Sequence, residues 1–71
     1  MRLYGTESCT GCKQAIKVLN ENGYGMYEYI NVAQIPGFVG EIPRLECDDG
    51  QIFVGLPAIV HAAREKRIIL L

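Results

Sequence analysis

No apolar run in this chain approaches the roughly 18 residues that a membrane-spanning helix needs, so a membrane is not an expected partner. Nor is there a surplus of either charge. Seven Lys and Arg stand against eight Asp and Glu, a formal net charge of −1 at pH 7. Without a basic patch to neutralise phosphates, nucleic acid is not an expected partner either. Cysteine is sparse at three residues, whereas a small secreted scaffold carries an even set, paired throughout. An odd count with two of them in a Cys-x-x-Cys fits a reducing compartment, with a reactive pair and one leftover thiol. The opening Met1-Arg2-Leu3-Tyr4-Gly5 lacks the long apolar segment of a secretory signal, so the expected location is the cytoplasm. Repeats, linkers and low-complexity stretches are missing as well.

What remains is 71 residues, 49% hydrophobic and 21% charged, the composition of an ordinary globular protein. We read residues 1–71 as one domain. A chain this short buries only roughly 60% of its unfolded surface, which leaves little core to spare.

Arg2 to Tyr4 reads as a short first strand ended by Gly5. Thr6-Glu7-Ser8 is a polar turn in which Ser8 or Thr6 is placed to cap a helix. From Thr10 to Asn22 the spacing predicts that helix: Cys12, Ala15, Ile16 and Leu19 recur on one face, with Lys13, Gln14, Lys17, Asn20 and Glu21 on the other. Asn22-Gly23 is its stop. Met26 to Val32, rich in aromatic and β-branched residues, predicts a second strand. Ala33 to Glu41, interrupted by Pro36, Gly37 and Gly40, predicts a loop. Arg44 to Cys47 and Gln51 to Val54 predict two strands joined through Asp48-Asp49-Gly50, a strong hairpin signal. Leu56-Pro57 opens a last helix running to about Lys66, with proline where its missing N–H costs nothing. The apolar tail Ile68-Ile69-Leu70-Leu71 is expected to pack against something.

The chemistry concentrates in Cys9 and Cys12. Thiol–disulfide exchange needs a thiolate, and Cys9 falls just before the first helix, where free backbone N–H groups and the helix dipole favour negative charge. Lys13, four positions on, adds a positive group at the same end. Cys12, one turn inward on the apolar stripe, suits the second step of an exchange. The alternative for this pair is a packed or metal-binding role. A closed zinc site needs four ligands, and the other candidates, Cys47 and His61, lie in segments not expected beside the pair. Cys47 reads as a structural thiol and His61 as a surface residue. Tyr24, Tyr27 and Tyr29 read as packing residues. Tyr4 also reads as core, with an approach to the dithiol as the lesser alternative.

Two segments resemble the glutaredoxin family in its short phage and microbial form. One is Leu3-Tyr4-Gly5 through Cys9-Thr10-Gly11-Cys12-Lys13. The other is Ile42-Pro43-Arg44-Leu45 followed by Asp49-Gly50-Gln51-Ile52-Phe53-Val54-Gly55. With Tyr27-Glu28-Tyr29-Ile30-Asn31-Val32 as second strand, the likeness covers most of the chain except residues 33 to 41. The fold it implies is α/β: a thioredoxin-like, glutaredoxin-type β-α-β-loop-β-β-α sandwich with a four-stranded mixed sheet, its second helix shortened or absent. Members of the family usually carry a helix where residues 33 to 41 stand. Such a loss is geometrically permitted, because an antiparallel third strand needs no long crossover, but it uncovers one face of the sheet. Ile35, Phe38 and Val39, or a second subunit, are expected to cover it, making the chain a monomer or a weak homodimer.

The resemblance further implies a thiol–disulfide oxidoreductase, an electron carrier that reduces protein or glutathione-mixed disulfides through Cys9 and Cys12, with no resident cofactor. It implies a cis Ile42–Pro43 bond facing the dithiol, with the backbone of Ile42 pairing with substrate, and Lys13 as the basic residue beside bound glutathione. The segment Leu56-Pro57-Ala58 departs from the Gly and Asp common in the family after the glycine. This impairs the site for the γ-glutamyl end of glutathione and tilts the expected reductant from glutathione toward a thioredoxin-reductase-type flavoprotein. The substrate would then be ribonucleotide reductase or another disulfide-bearing protein. The alternative from the same resemblance is an iron–sulfur or metal-binding module without dithiol turnover.

Overall fold

Along the first strand, β1 (Arg2–Gly5), side chains alternate between two faces, and their chemistry alternates too: Leu3 and Gly5 are buried, Arg2 and Tyr4 are not. That alternation sets the architecture of the computed structural model, which describes all residues 1–71. β1 pairs in parallel with β2 (Glu28–Asn31) and antiparallel with β3 (Arg44–Glu46), which pairs antiparallel with β4 (Ile52–Val54). The result is a four-stranded mixed sheet in the order β2-β1-β3-β4. The helices α1 (Thr10–Glu21) and α2 (Leu56–Arg64) pack against each other.

Leu3, Leu45, Leu19 and Ile59 are fully buried where sheet and helices meet, joined by Ala15, Ala62 and Ala63. Each of these Leu and Ile side chains contributes roughly 1.5–3 kcal/mol. The alanines carry no bulk beyond Cβ, and this lets the two helices approach.

The elements follow the expected order with shorter ends. α1 stops at Glu21, with Asn22 as its cap and Gly23 at φ 85°. Its N-cap is neither Ser8 nor Thr6 but Cys9, in extended backbone geometry at φ −88° and ψ 111°. β3 ends at Glu46, so Cys47 lies just past the strand. There it closes the hairpin instead, its N–H donating to the Gln51 carbonyl at 2.9 Å and its own carbonyl accepting from Gly50 at 3.1 Å. In the tail only Ile68 is buried, while Leu71 is 87% exposed. The expected packing therefore ends after one residue.

The sheet face away from the helices carries two cross-strand rows, Ile30–Tyr4–Arg44–Val54 and Glu28–Arg2–Glu46–Ile52. Tyr4 belongs here, neither in the core nor at the dithiol. Glu46 accepts a hydrogen bond from the Tyr4 hydroxyl at 3.0 Å and pairs with Arg44 at 3.0 Å and Arg2 at 3.8 Å. After β2 the chain makes one 3-10 turn, Val32–Gln34, in place of a helix. Phe38 then lays its ring on Tyr4, centroids 5.9 Å apart and 21° from parallel. Of the three side chains expected to cover this face, Phe38 does so, Ile35 is half-buried, and Val39 points away, 87% exposed. No helix is long and apolar enough to cross a membrane.

Candidate active site

β1 delivers the chain to the start of α1, so its last residue and the first helical turn share one end of the sheet. Cys9 is half-buried and Cys12 fully buried. The backbone N–H of Cys12 donates to Cys9 Sγ at 3.1 Å. A sulfur so placed takes the capping role usually filled by Ser, Thr, Asp or Asn, and the same donor is what a thiolate there would use. All three cysteines are free thiols.

Cys12 is the opposite case. Burial pushes its thiol up from 9.0 to about 11, reinforced by its hydrogen bond to Cys9 and by the charge on that residue. The Thr6 backbone and the Tyr29 hydroxyl, both facing the sulfur, pull the other way. The room for Cys12 comes from Gly5. A Cβ on Gly5 would sit 2.7 Å from Cys12 Sγ and 2.6 Å from the Tyr29 hydroxyl, closer than atoms pack. Here glycine serves by lacking a side chain.

The second expected segment reaches the same place. A Cβ on Gly11, between the two cysteines, would lie 3.6 Å from Pro43 Cδ, 3.9 Å from Leu56 Cβ and 4.0 Å from Cys9 Sγ. Pro43 is buried, and the Ile42–Pro43 bond is cis. The Pro43 carbonyl accepts from the N–H of Gly55 at 2.8 Å. Gly55, at φ 88°, is the N-cap of α2, a backbone conformation that side-chain-bearing residues rarely adopt. Neither the N–H nor the C=O of Ile42 has a backbone partner within the chain. An extended peptide laid alongside would find both groups free.

Cys9, Cys12, Ile42 and Pro43 are therefore gathered at one end. Lys13 stands on the exposed side of α1. Its backbone amide donates to the Cys9 carbonyl at 3.2 Å. Cys47 lies at the other end of the sheet, because Glu46 pairs with Arg2, at the start of β1. It is buried, and burial raises its thiol. A polar groove of about 430 Å³ lined by Met1, Arg2, Glu28, Glu46, Cys47 and Asp48 is at that far end too. His61 is exposed on α2. No three His, Cys, Asp or Glu side chains are grouped to hold a metal ion.

Two residues of the site escape sequence reasoning, Gly5 and Tyr29. Tyr29 pairs with Leu3, which puts its side chain on the helix-bearing face. Its hydroxyl donates to the Thr6 carbonyl at 3.1 Å. The available signal was the glycine closing β1, a gap that some neighbouring bulk had to fill. No family model, curated protein or solved structure matches the chain.

Proposed function

We propose that the chain is a thiol–disulfide oxidoreductase of thioredoxin-like, glutaredoxin-type fold, with Cys9 as nucleophile and Cys12 as resolving thiol. The observation that carries this reading is the unequal pair itself: one sulfur half-exposed at a helix N-cap on a backbone donor, the other buried one turn behind it. In the first step Cys9 thiolate attacks a substrate disulfide, forming a mixed disulfide and releasing one substrate thiolate, which takes up a proton. Cys12 then loses its proton and attacks Cys9 sulfur, closing the Cys9–Cys12 disulfide and releasing the second substrate thiol. Two electrons pass from the dithiol to the substrate.

The free backbone groups of Ile42 support an extended peptide as substrate, lying beside Pro43. As for the donor, α2 opens on Leu56 and Pro57, and its Gly55 cap makes no side-chain hydrogen bond. Pro57 offers no N–H to a carboxylate. This supports a flavoprotein reductase over glutathione as the source of electrons.

The test mixes the reduced protein separately with oxidised glutathione and with a disulfide-bearing protein, and identifies the adducts by mass. Cys12→Ser is expected to stall as a mixed disulfide on Cys9, and Cys9→Ser to form none. Full disulfide-reducing activity in Cys9→Ser would remove the assigned nucleophile. Visible absorption and metal content of the freshly purified protein test the competing reading, a metal-binding module.

A further inference from the structure

The release step poses a problem that the nucleophile does not. Cys12 must ionise inside the protein, and no carboxylate or ammonium acts on it. A buried thiolate needs hydrogen-bond donors to replace lost water. The groups that face Cys12 are Cys9 from the start of α1, the Thr6 backbone from the turn before it, and Tyr29 from β2. The Tyr29 hydroxyl and Cys12 Sγ converge on one point, 2.6 and 2.7 Å respectively from where a side chain on Gly5 would begin.

We propose that Tyr29 is the positioning residue for Cys12, its hydroxyl donating to the thiolate as Cys12 attacks Cys9. This rests on the reading of Cys9 and Cys12 as an exchanging pair. In the thiol state the same hydroxyl donates to the Thr6 carbonyl at 3.1 Å. Turning about the phenolic C–O bond redirects that one hydrogen to sulfur, and the Thr6 carbonyl, in an exposed contact, is taken over by water. The proton of Cys12 leaves to solvent, the sulfur pair forms its bond, and the substrate sulfur departs as a thiolate that is then protonated. Tyr29 neither gains nor loses a proton in the cycle. Burial, then the charges of Cys12, Cys9, Tyr27 and Glu7, hold its hydroxyl protonated above the usual tyrosine range, so it stays a donor at neutral pH.

The experiment tracks the two steps separately with 5,5′-dithiobis(2-nitrobenzoate), which frees one yellow thiolate as Cys9 is captured and a second as Cys12 resolves the adduct. Tyr29→Phe removes the hydroxyl and keeps the ring. The expected result is an unchanged first phase and a second phase slowed roughly ten- to a hundredfold, the worth of one hydrogen bond to a charged group. The rising limb of the second-phase rate against pH should move up by roughly one unit or more. A merely structural role would instead lower the urea midpoint and leave that limb in place. An unaltered second phase with an unaltered pH limb in Tyr29→Phe overturns the proposal while the exchange reading stands. A wild-type second phase matching that of Cys12→Ser overturns both.

Discussion

Cys12 occupies a volume that its neighbour in space, Gly5, leaves vacant, and the tolerance there is small. Gly5→Ala puts a methyl group 2.7 Å from Cys12 Sγ, so the sulfur or the helix must move. We expect a loss of about 1–3 kcal/mol, the usual cost of overpacking, read from urea unfolding, together with slower resolution of a mixed disulfide. The cysteine pair was legible in the sequence because it is signalled locally by its spacing, whereas the place of Pro43 came only from the family resemblance. Tyr29 was not. Its partner lies in another element, and strand register decides which face a residue occupies. Tyr4 and Tyr29 both read as aromatic strand residues, yet they sit on opposite faces of the sheet.

Among the elements, the two helices and the hairpin were written plainly in periodicity and in Asp49-Gly50, and only their ends shifted by one to two residues. The segment between β2 and β3 resisted reading because Pro36, Gly37 and Gly40 leave no period to trace. The aromatic contact that ties it to the sheet is Phe38 on Tyr4. Phe38→Ala should cost about 2 kcal/mol, less than a fully buried phenylalanine because the ring is half-buried. Hydrogen exchange should rise in residues 35–41 while the reactivity of Cys9 is unchanged. Loss of the dithiol reaction in this variant would mean that the loop also shapes the site.

For the molecule as a whole, the raised thiol of Cys12 makes stability depend on alkaline pH. A thiol whose folded value exceeds its ordinary one keeps its proton longer in the folded state. Its contribution is therefore complete below about pH 9 and is lost as pH climbs through about 11. A shift of this size corresponds to roughly 2–3 kcal/mol. Cys47, Tyr27 and Tyr29 are raised as well and act in the same direction. Urea midpoints of the reduced protein are expected to fall over this range, and Cys12→Ala should flatten the fall. Asp48 works at the acid end. Hydrogen bonds from the N-terminal ammonium and from the Leu71 backbone hold its carboxyl below 3.8, so its contribution is present above that value and disappears as pH drops beneath the lowered one. Asp48→Asn should therefore blunt the acid loss and speed exchange at residues 68–71, with Cys9 and Cys12 reacting as before.

The carboxylate of Asp48 meets the ammonium of Met1 at 2.6 Å with one oxygen and the amide of Leu71 at 3.4 Å with the other. Residues 1 and 71 thus lie side by side, at the end of the sheet opposite Cys9 and Cys12. A tag, a tether to a bead, or a second protein joined at residue 1 or residue 71 would hang clear of the cysteine pair. Linking residue 1 to residue 71 in a ring would leave the exposure of Cys9 as it is.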